Sequence, residues 1–349
     1  MRGHLKDSGS GDEEIPTLDL GLLRLGEGAG CACKADWGIV ELLRLDPQLS
    51  DVDQLQLGLL DAGLLSPELD TSGVASIDFI GPVSRAADAY GEIAAAHAMS
   101  DLYAVGAKPR NGLVIAIWPR GAALEPALHD AVRSLVKTSK AAGCSIIGGH
   151  TAHADQPLLG LGIFGTRLQL PHKPSVQAGD LLYLTKPLGS GISVGAIKEG
   201  VCPIETEHRA TAVMRELNVA GLDLNCNSAV KLVTDVTGYG LCGQLLRMTE
   251  RCGLMAIVDS LPVIDGVFDL AEHGSGTQAA ERNWGVFKDR LEYSNFARLL
   301  IMCDPQTNGP LLFVAGPESR MNVDLSKHHL IGYLDRGASG DGRKSVVAR

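Results

Sequence analysis

The chain has no run of about 18 consecutive apolar residues, so no segment reads as a membrane-spanning helix. It has no excess of positive charge: 31 Lys and Arg stand against 41 Asp and Glu, a net charge of −10. That balance excludes a general surface for nucleic acid or anionic lipid, while leaving room for a local basic pocket. Aromatic residues are scarce, at 4%. The eight cysteines include no C-x-x-C pair and are dispersed, which argues against a zinc ribbon or a disulfide framework and for reduced thiols. No G-x-x-x-x-G-K-[ST] occurs, which disfavours a P-loop kinase. The polar start has no apolar signal core, so the expectation is a disordered leader over 1–17 and a cytoplasmic protein.

What is present is apolar content of 45% and 42 glycines in 349 residues, enough for two packed α/β domains with glycine loops. The pattern predicts strands over 74–80, 112–118, 144–148, 158–164, 180–185, 256–258 and 311–315. Helices are expected over 85–105, 124–142, 190–199, 206–220 and 240–251, with Gly106 and Gly143 as stops. Pro171-His-Lys-Pro174 reads as a linker, giving an N-terminal domain over 18–171 and a C-terminal domain over 178–349.

Several motifs carry chemistry. Gly28-Ala-Gly-Cys-Ala-Cys-Lys34 sets thiols and an ammonium behind glycines, and a neighbouring lysine favours the nucleophilic thiolate. Asp61, Asp101 and Asp235 sit in apolar surroundings, where a carboxylate is costly unless paired or bound to metal; helix-surface and turn readings stand beside that one. Thr234-Asp-Val-Thr-Gly-Tyr-Gly240 follows an apolar strand and resembles a phosphate loop. His97 and Asp101, four apart, share a helix face, either as a ligand pair or as core polar residues. Gly148-Gly-His-Thr-Ala-His153 reads as a loop whose glycine amides face phosphate. Gly160-Leu-Gly-Ile-Phe-Gly165 fits G-x-G-x-x-G but is followed by no helix, so its glycines read as close-packing positions in a strand.

Taken in order, the Gly28–Lys34 run, Asp78, Gly91-Glu-Ile-Ala-Ala-Ala-His-Ala-Met-Ser-Asp101, Gly148-Gly-His-Thr151, Leu184-Thr-Lys-Pro-Leu-Gly189, Thr234–Gly240 and Cys303-Asp-Pro-Gln-Thr307 resemble the selenophosphate synthetase (selenide, water dikinase) family. The resemblance runs from about residue 28 to the end of the chain. It implies a two-domain α/β (α+β) fold of the aminoimidazole-ribonucleotide-synthetase type, dimerising through the N-terminal halves. It also implies conversion of ATP and selenide to selenophosphate, AMP and phosphate, with Mg2+ and K+ as cations and neither nucleic acid nor membrane as partner. By similarity Cys31 is the catalytic thiol and Lys34 the essential lysine. Asp61, Asp101 and Asp235 match the magnesium ligands. Lys34, Asp78, Asp101, Gly149, His150 and Thr151 match ATP-contacting positions.

The chain departs from the family pattern at three places. Gly58-Leu-Leu60 stands where Thr-Arg-Asp is usual, His97 where the helix carries asparagine, and Asn308-Gly-Pro310 where Ser-Gly-Gly is usual. Two other readings therefore stand beside the synthetase: a same-fold enzyme phosphorylating another small acceptor, and a non-catalytic paralogue that binds nucleotide.

Overall fold

The computed structural model describes residues 22–23, 62–64, 72–121, 124–317, 327–337 and 345–349. Cys31, Lys34, Asp61 and the segment 36–60 lie outside the described residues. Two sheets organise the remainder. The first contains β1 (Ala62–Leu64), β2 (Gly73–Ile80), β3 (Ala107–Trp118), β4 (Ser145–His153) and β5 (Leu158–Arg167), in the order β1-β2-β5-β3-β4. All its pairings are antiparallel except β3 with β4. One face is covered by α1 (Ala87–Ala104) and α2 (Glu125–Ala141).

Helix α1 has no polar face. Fifteen of its 18 residues are buried, as expected of a helix enclosed on all sides. The alanines between 87 and 104 keep it slim. A Cβ at Gly91 would run into the Ala131 carbonyl and the Ser134 hydroxyl of α2, so glycine permits that close approach.

The second sheet has seven strands, the first two being β6 (Leu181–Leu184) and β7 (Val230–Asp235). β8 (Met255–Val258), β9 (Leu291–Tyr293), β10 (Leu311–Ala315), β11 (His329–Asp335) and β12 (Val346–Ala348) complete it, in the order β7-β10-β6-β11-β8-β12-β9. Its helices are α3 (Ser190–Glu199), α4 (Ile204–Arg215), α5 (Ala220–Cys226), α6 (Gly240–Cys252), α7 (Val267–Glu272), α8 (Gln278–Phe287) and α9 (Phe296–Cys303). At the entry to β6, the fully buried Asp180 accepts from Lys231 Nζ at 2.7 Å and from the Gln177 amide at 2.7 Å.

The two halves meet along α1, which packs on β2 and β5 and also on α4, α5 and β7. Arg215 of α4 pairs with Glu92 of α1 at 2.6 Å. A Cβ at Gly221 of α5 would strike the Tyr103 carbonyl, so this contact too depends on a missing side chain.

Three local expectations need correction. Gly148–His153 is not a loop but the body of β4, the edge strand, with its side chains exposed. The helix expected over 206–220 is two helices, α4 and α5, separated by Glu216–Val219. In β5, Gly160 and Gly165 are close-packing positions, against β2 and against Leu102, whereas Gly162 faces open space.

Candidate functional site

The seam between the halves gathers Asp78, His97, Asp101 and Asp235 among the polar residues that the sequence singles out. Asp235 is the last residue of β7, and α6 begins at Gly240, so the Asp-x-Thr-Gly-x-Gly run does form a strand–helix junction. Asp235 is 2% exposed. Its Oδ2 accepts from Ser100 Oγ of α1 at 2.9 Å. Ser100 Oγ in turn accepts from Asn218 Nδ2 at 2.9 Å, and Asn218 also donates to the Gly309 carbonyl at 3.0 Å. The break between α4 and α5 thus delivers Asn218 to this relay.

Asp101 follows Ser100 and is 1% exposed. Its Oδ2 accepts from Ser76 Oγ of β2 at 2.7 Å. Two buried carboxylates, one from each half of the chain, therefore flank one hydroxyl-lined seam. Carboxylates are hard oxygen donors suited to magnesium, and a divalent cation would offset the cost of burying them. Among the described residues no group of three or more His, Cys, Asp or Glu side chains converges as a metal-binding set. Asp101 and Asp235 fit as two ligands, and the third carboxylate of the expected set, Asp61, lies outside the described residues.

His97 does not pair with Asp101. It reaches across to β2, with Nε2 2.9 Å from Asp78 Oδ2, while its Nδ1 accepts the Asn308 N–H at 3.1 Å. The imidazole is therefore uncharged and engaged on both sides, as a core histidine and not as a cation for phosphate. Asp78 Oδ1 accepts from the Phe79 amide at 2.9 Å.

Gly149, His150 and Thr151 stand apart from this group. They lie on β4, and in the order β2-β5-β3-β4 they are three strand spacings from Asp78. At ordinary strand spacing that is about 14 Å. A Cβ at Gly149 would strike the Val114 backbone, so this glycine serves strand packing.

Sequence reasoning assigns no chemistry to Lys186, the lysine of Leu184-Thr-Lys-Pro-Leu-Gly189, although a lysine ending an apolar strand was a usable signal. Lys186 is 2% exposed, and Nζ donates to the Asn308 carbonyl at 2.7 Å and to the Glu216 carbonyl at 3.0 Å. Burial lowers its pKa to about 7, opposed by the Glu216 and Asp235 carboxylates.

The segment Asp304–Gly309 acts as a strap. Asp304 Oδ2 accepts the Ile192 amide at 3.0 Å and Gln306 Nε2 at 2.8 Å. Gln306 Oε1 accepts the Gly189 and Ser190 amides at 2.8 and 3.2 Å. The N-terminus of α3, where amides collect partial positive charge, is thus already occupied by the chain's own oxygens.

Comparison with known proteins follows the same division. Residues 60–167 match the model of the AIR synthase related protein N-terminal domain, and residues 177–309 match that of the AIR synthase related protein C-terminal domain. A selenide, water dikinase of Colwellia psychrerythraea is 33% identical over 308 residues, covering 86% of this chain and 89% of the relative. One from Aeromonas salmonicida is 34% identical over 311 residues, covering 86% and 90%. Among solved structures, the HypE-HypF complex aligns with a TM-score of 0.61 at 16% identity, covering 85% of this chain and 93% of that one. Thiamine monophosphate kinase of Aquifex aeolicus aligns at 0.59 and 13% identity, covering 90% and 96%. At these identities the structures establish a shared fold.

Proposed function

The chain belongs to the selenide, water dikinase family, and from that footing we propose that it uses ATP, selenide and water to make selenophosphate, releasing AMP and phosphate. The observation that supports this reading is a pair of buried carboxylates from opposite halves of the chain along α1, Asp101 held by the Ser76 hydroxyl and Asp235 by the Ser100 hydroxyl. It is the arrangement expected where nucleotide phosphates are held between two domains.

The residue roles follow from chemistry. ATP brings about four negative charges that must be neutralised before an anionic selenide can approach. Asp61, Asp101 and Asp235 are proposed to hold magnesium, with K+ as an auxiliary cation; when bound, magnesium supplies electrostatic neutralisation at the phosphates. Lys34 supplies a further positive charge to ATP. Asp78 is proposed to orient the nucleotide, held in place by His97. Cys31 is proposed to line the selenide site and orient the anion toward the phosphoryl group without forming an S–Se bond, selenium keeping its −2 state as it attacks phosphorus.

Gly149, His150 and Thr151 are proposed to contact ATP across a homodimer, since they lie three strands from Asp78. Support comes from the face of the first sheet opposite α1 and α2. There Ile77, Phe79, Leu113 and Phe164 are 62%, 38%, 37% and 38% exposed, and the register places Ile77 and Leu113 on either side of Gly162. An apolar patch of that kind marks an association surface. Sedimentation of the full chain as a monomer at micromolar concentration would remove the cross-subunit reading. We place the protein in the cytoplasm, where selenide and thiols stay reduced; Cys144, Cys202, Cys226, Cys242, Cys252 and Cys303 are free thiols. No helix among the described residues is long and apolar enough to cross a membrane.

The site roles are tested with Cys31→Ser under anaerobic conditions. The variant is expected to lose selenide-dependent AMP formation while binding ATP within about threefold of the parent, because the thiol handles selenium and not nucleotide. Cys33→Ser is expected to keep activity. Full activity in Cys31→Ser would strike the thiol from the mechanism.

A further inference from the structure

His97 is the one side chain of α1 whose two ring nitrogens are bonded to different halves of the molecule. Nε2 lies 2.9 Å from Asp78 Oδ2 on β2, and Nδ1 lies 3.1 Å from the Asn308 amide, a partner 211 positions away in sequence. A backbone amide can only donate. Nδ1 therefore carries a lone pair, the proton sits on Nε2, and Asp78 accepts it. The ring is 1% exposed.

The amide that His97 receives is aimed by a fixed strap. Asn308 has φ +46°, the only positive φ of a non-glycine among the described residues, a conformation that asparagine tolerates better than most side chains. Its side chain is anchored, with Nδ2 donating to the Met214 carbonyl at 2.6 Å and to the Glu216 carbonyl at 2.8 Å. Its carbonyl takes the Lys186 ammonium at 2.7 Å. Two residues earlier, Gln306 grips the start of α3. The strap cannot move at Asn308 without disturbing α3, the end of α4 and Lys186 together.

We propose that His97 is a positioning residue that fixes the Asp78 carboxylate of the N-terminal domain to the Asp304–Gly309 strap of the C-terminal domain through its neutral Nε2–H tautomer. The placement of a nucleotide-facing carboxylate is then set by the opposite domain. A histidine that merely filled space would have no need of a lone pair on Nδ1 facing an anchored amide. The functional consequence rests on Asp78 being a nucleotide contact; the tautomer and the link itself do not.

The test uses the full chain. Nitrogen-15 NMR of the imidazoles is expected to show His97 protonated at Nε2 and bare at Nδ1 at pH 7.5, with a slowly exchanging Asn308 amide. His97→Leu, which supplies neither donor nor acceptor, is expected to speed exchange at the Asn308 amide. It should also weaken binding of a non-hydrolysable ATP analogue by about tenfold or more, the size of one lost hydrogen bond to a charged group. His97→Gln, with an amide N–H for Asp78 and a carbonyl for Asn308, is expected to restore both readouts to within about threefold. A His97 protonated at Nδ1, or a folded His97→Leu whose exchange and binding match the parent, overturns the proposal. If His97→Leu does not fold, the tautomer and the His97→Gln binding constant still decide it. Altered exchange and binding in a protein that makes no AMP from ATP with selenide would leave the link standing and remove the synthetase reading instead.

Discussion

Lys186 carries an ammonium into a seam where 2% of it meets solvent and two carbonyls receive its protons. Burial disfavours the charged form, so the folded protein releases this proton near pH 7, against 10.5 for the ordinary side chain. Between those values the unfolded chain binds the extra proton, and stability rises with pH across the window. Below pH 7 both states are protonated and the full penalty is present. Lys186→Met removes that slope. Relative to the variant, the parent is expected to gain roughly 2 kcal/mol between pH 7 and 9 in urea unfolding. Parallel profiles for the two proteins would show that Lys186 keeps its ordinary pKa. The chemistry of single residues was partly legible in the sequence. Asp101 and Asp235 were suspect because carboxylates in apolar runs need a reason. Lys186 sat in plain view without a role, because its partners are carbonyls at positions 216 and 308, and carbonyls carry no sequence signal. Of the two readings of His97 and Asp101, that of core polar residues matches the contacts: helical spacing brings both side chains to one face, but Asp78 and the strap take His97 and Ser76 takes Asp101.

Helix α3 shows how the strap sets an element. Its N-terminus is held by Asp304 and Gln306 in place of a local cap, and Gly189 precedes it with φ +112°. Two glycines on this helix then have opposite consequences. At Gly195 an added Cβ would find Thr277 Cγ2 at 3.6 Å, an ordinary contact. Gly195→Ala should therefore stabilise the fold by roughly 0.5–1 kcal/mol through helix propensity. At Gly191 the same methyl would strike Asp304 Oδ1 and the Pro305 carbonyl. Gly191→Ala should cost about 1–3 kcal/mol, since the strap must shift to admit it, and it should also weaken nucleotide binding. Thermal melts of the two variants moving in the same direction would contradict the geometry. Elements such as α1, α3, α6 and β10 were readable from composition, breakers and apolar runs. The division of α4 from α5 was not: the sequence there has no Gly or Pro, and the chain turns so that Glu216 and Asn218 can serve the seam. The extension of β4 through Gly148–His153 was hidden too, because an exposed edge strand rich in glycine looks like a loop until β3 pairs with it.

At the scale of the molecule, the two domains meet where α1 is buried on every side, and the polar groups of the site come from both. That is why the fold class was legible while the site was only half so: periodicity marks the elements, but Ser100, the neighbour of Asp101 on α1, reaches Asp235 only when the halves close on that helix. A chain that lacks Thr-Arg-Asp before Asp61 keeps Asp101 and Asp235 buried at the seam, and Lys186 is buried in the same half of the molecule as Asp235. The central claim is that this seam serves transfer of phosphate to selenide. The most direct measurement is phosphorus-31 NMR of the purified protein incubated anaerobically with ATP, magnesium and selenide. The account predicts selenophosphate, AMP and phosphate accumulating together in equal amounts, with no AMP when selenide is omitted. ADP as the accumulating nucleotide, or AMP formation indifferent to selenide, would contradict it.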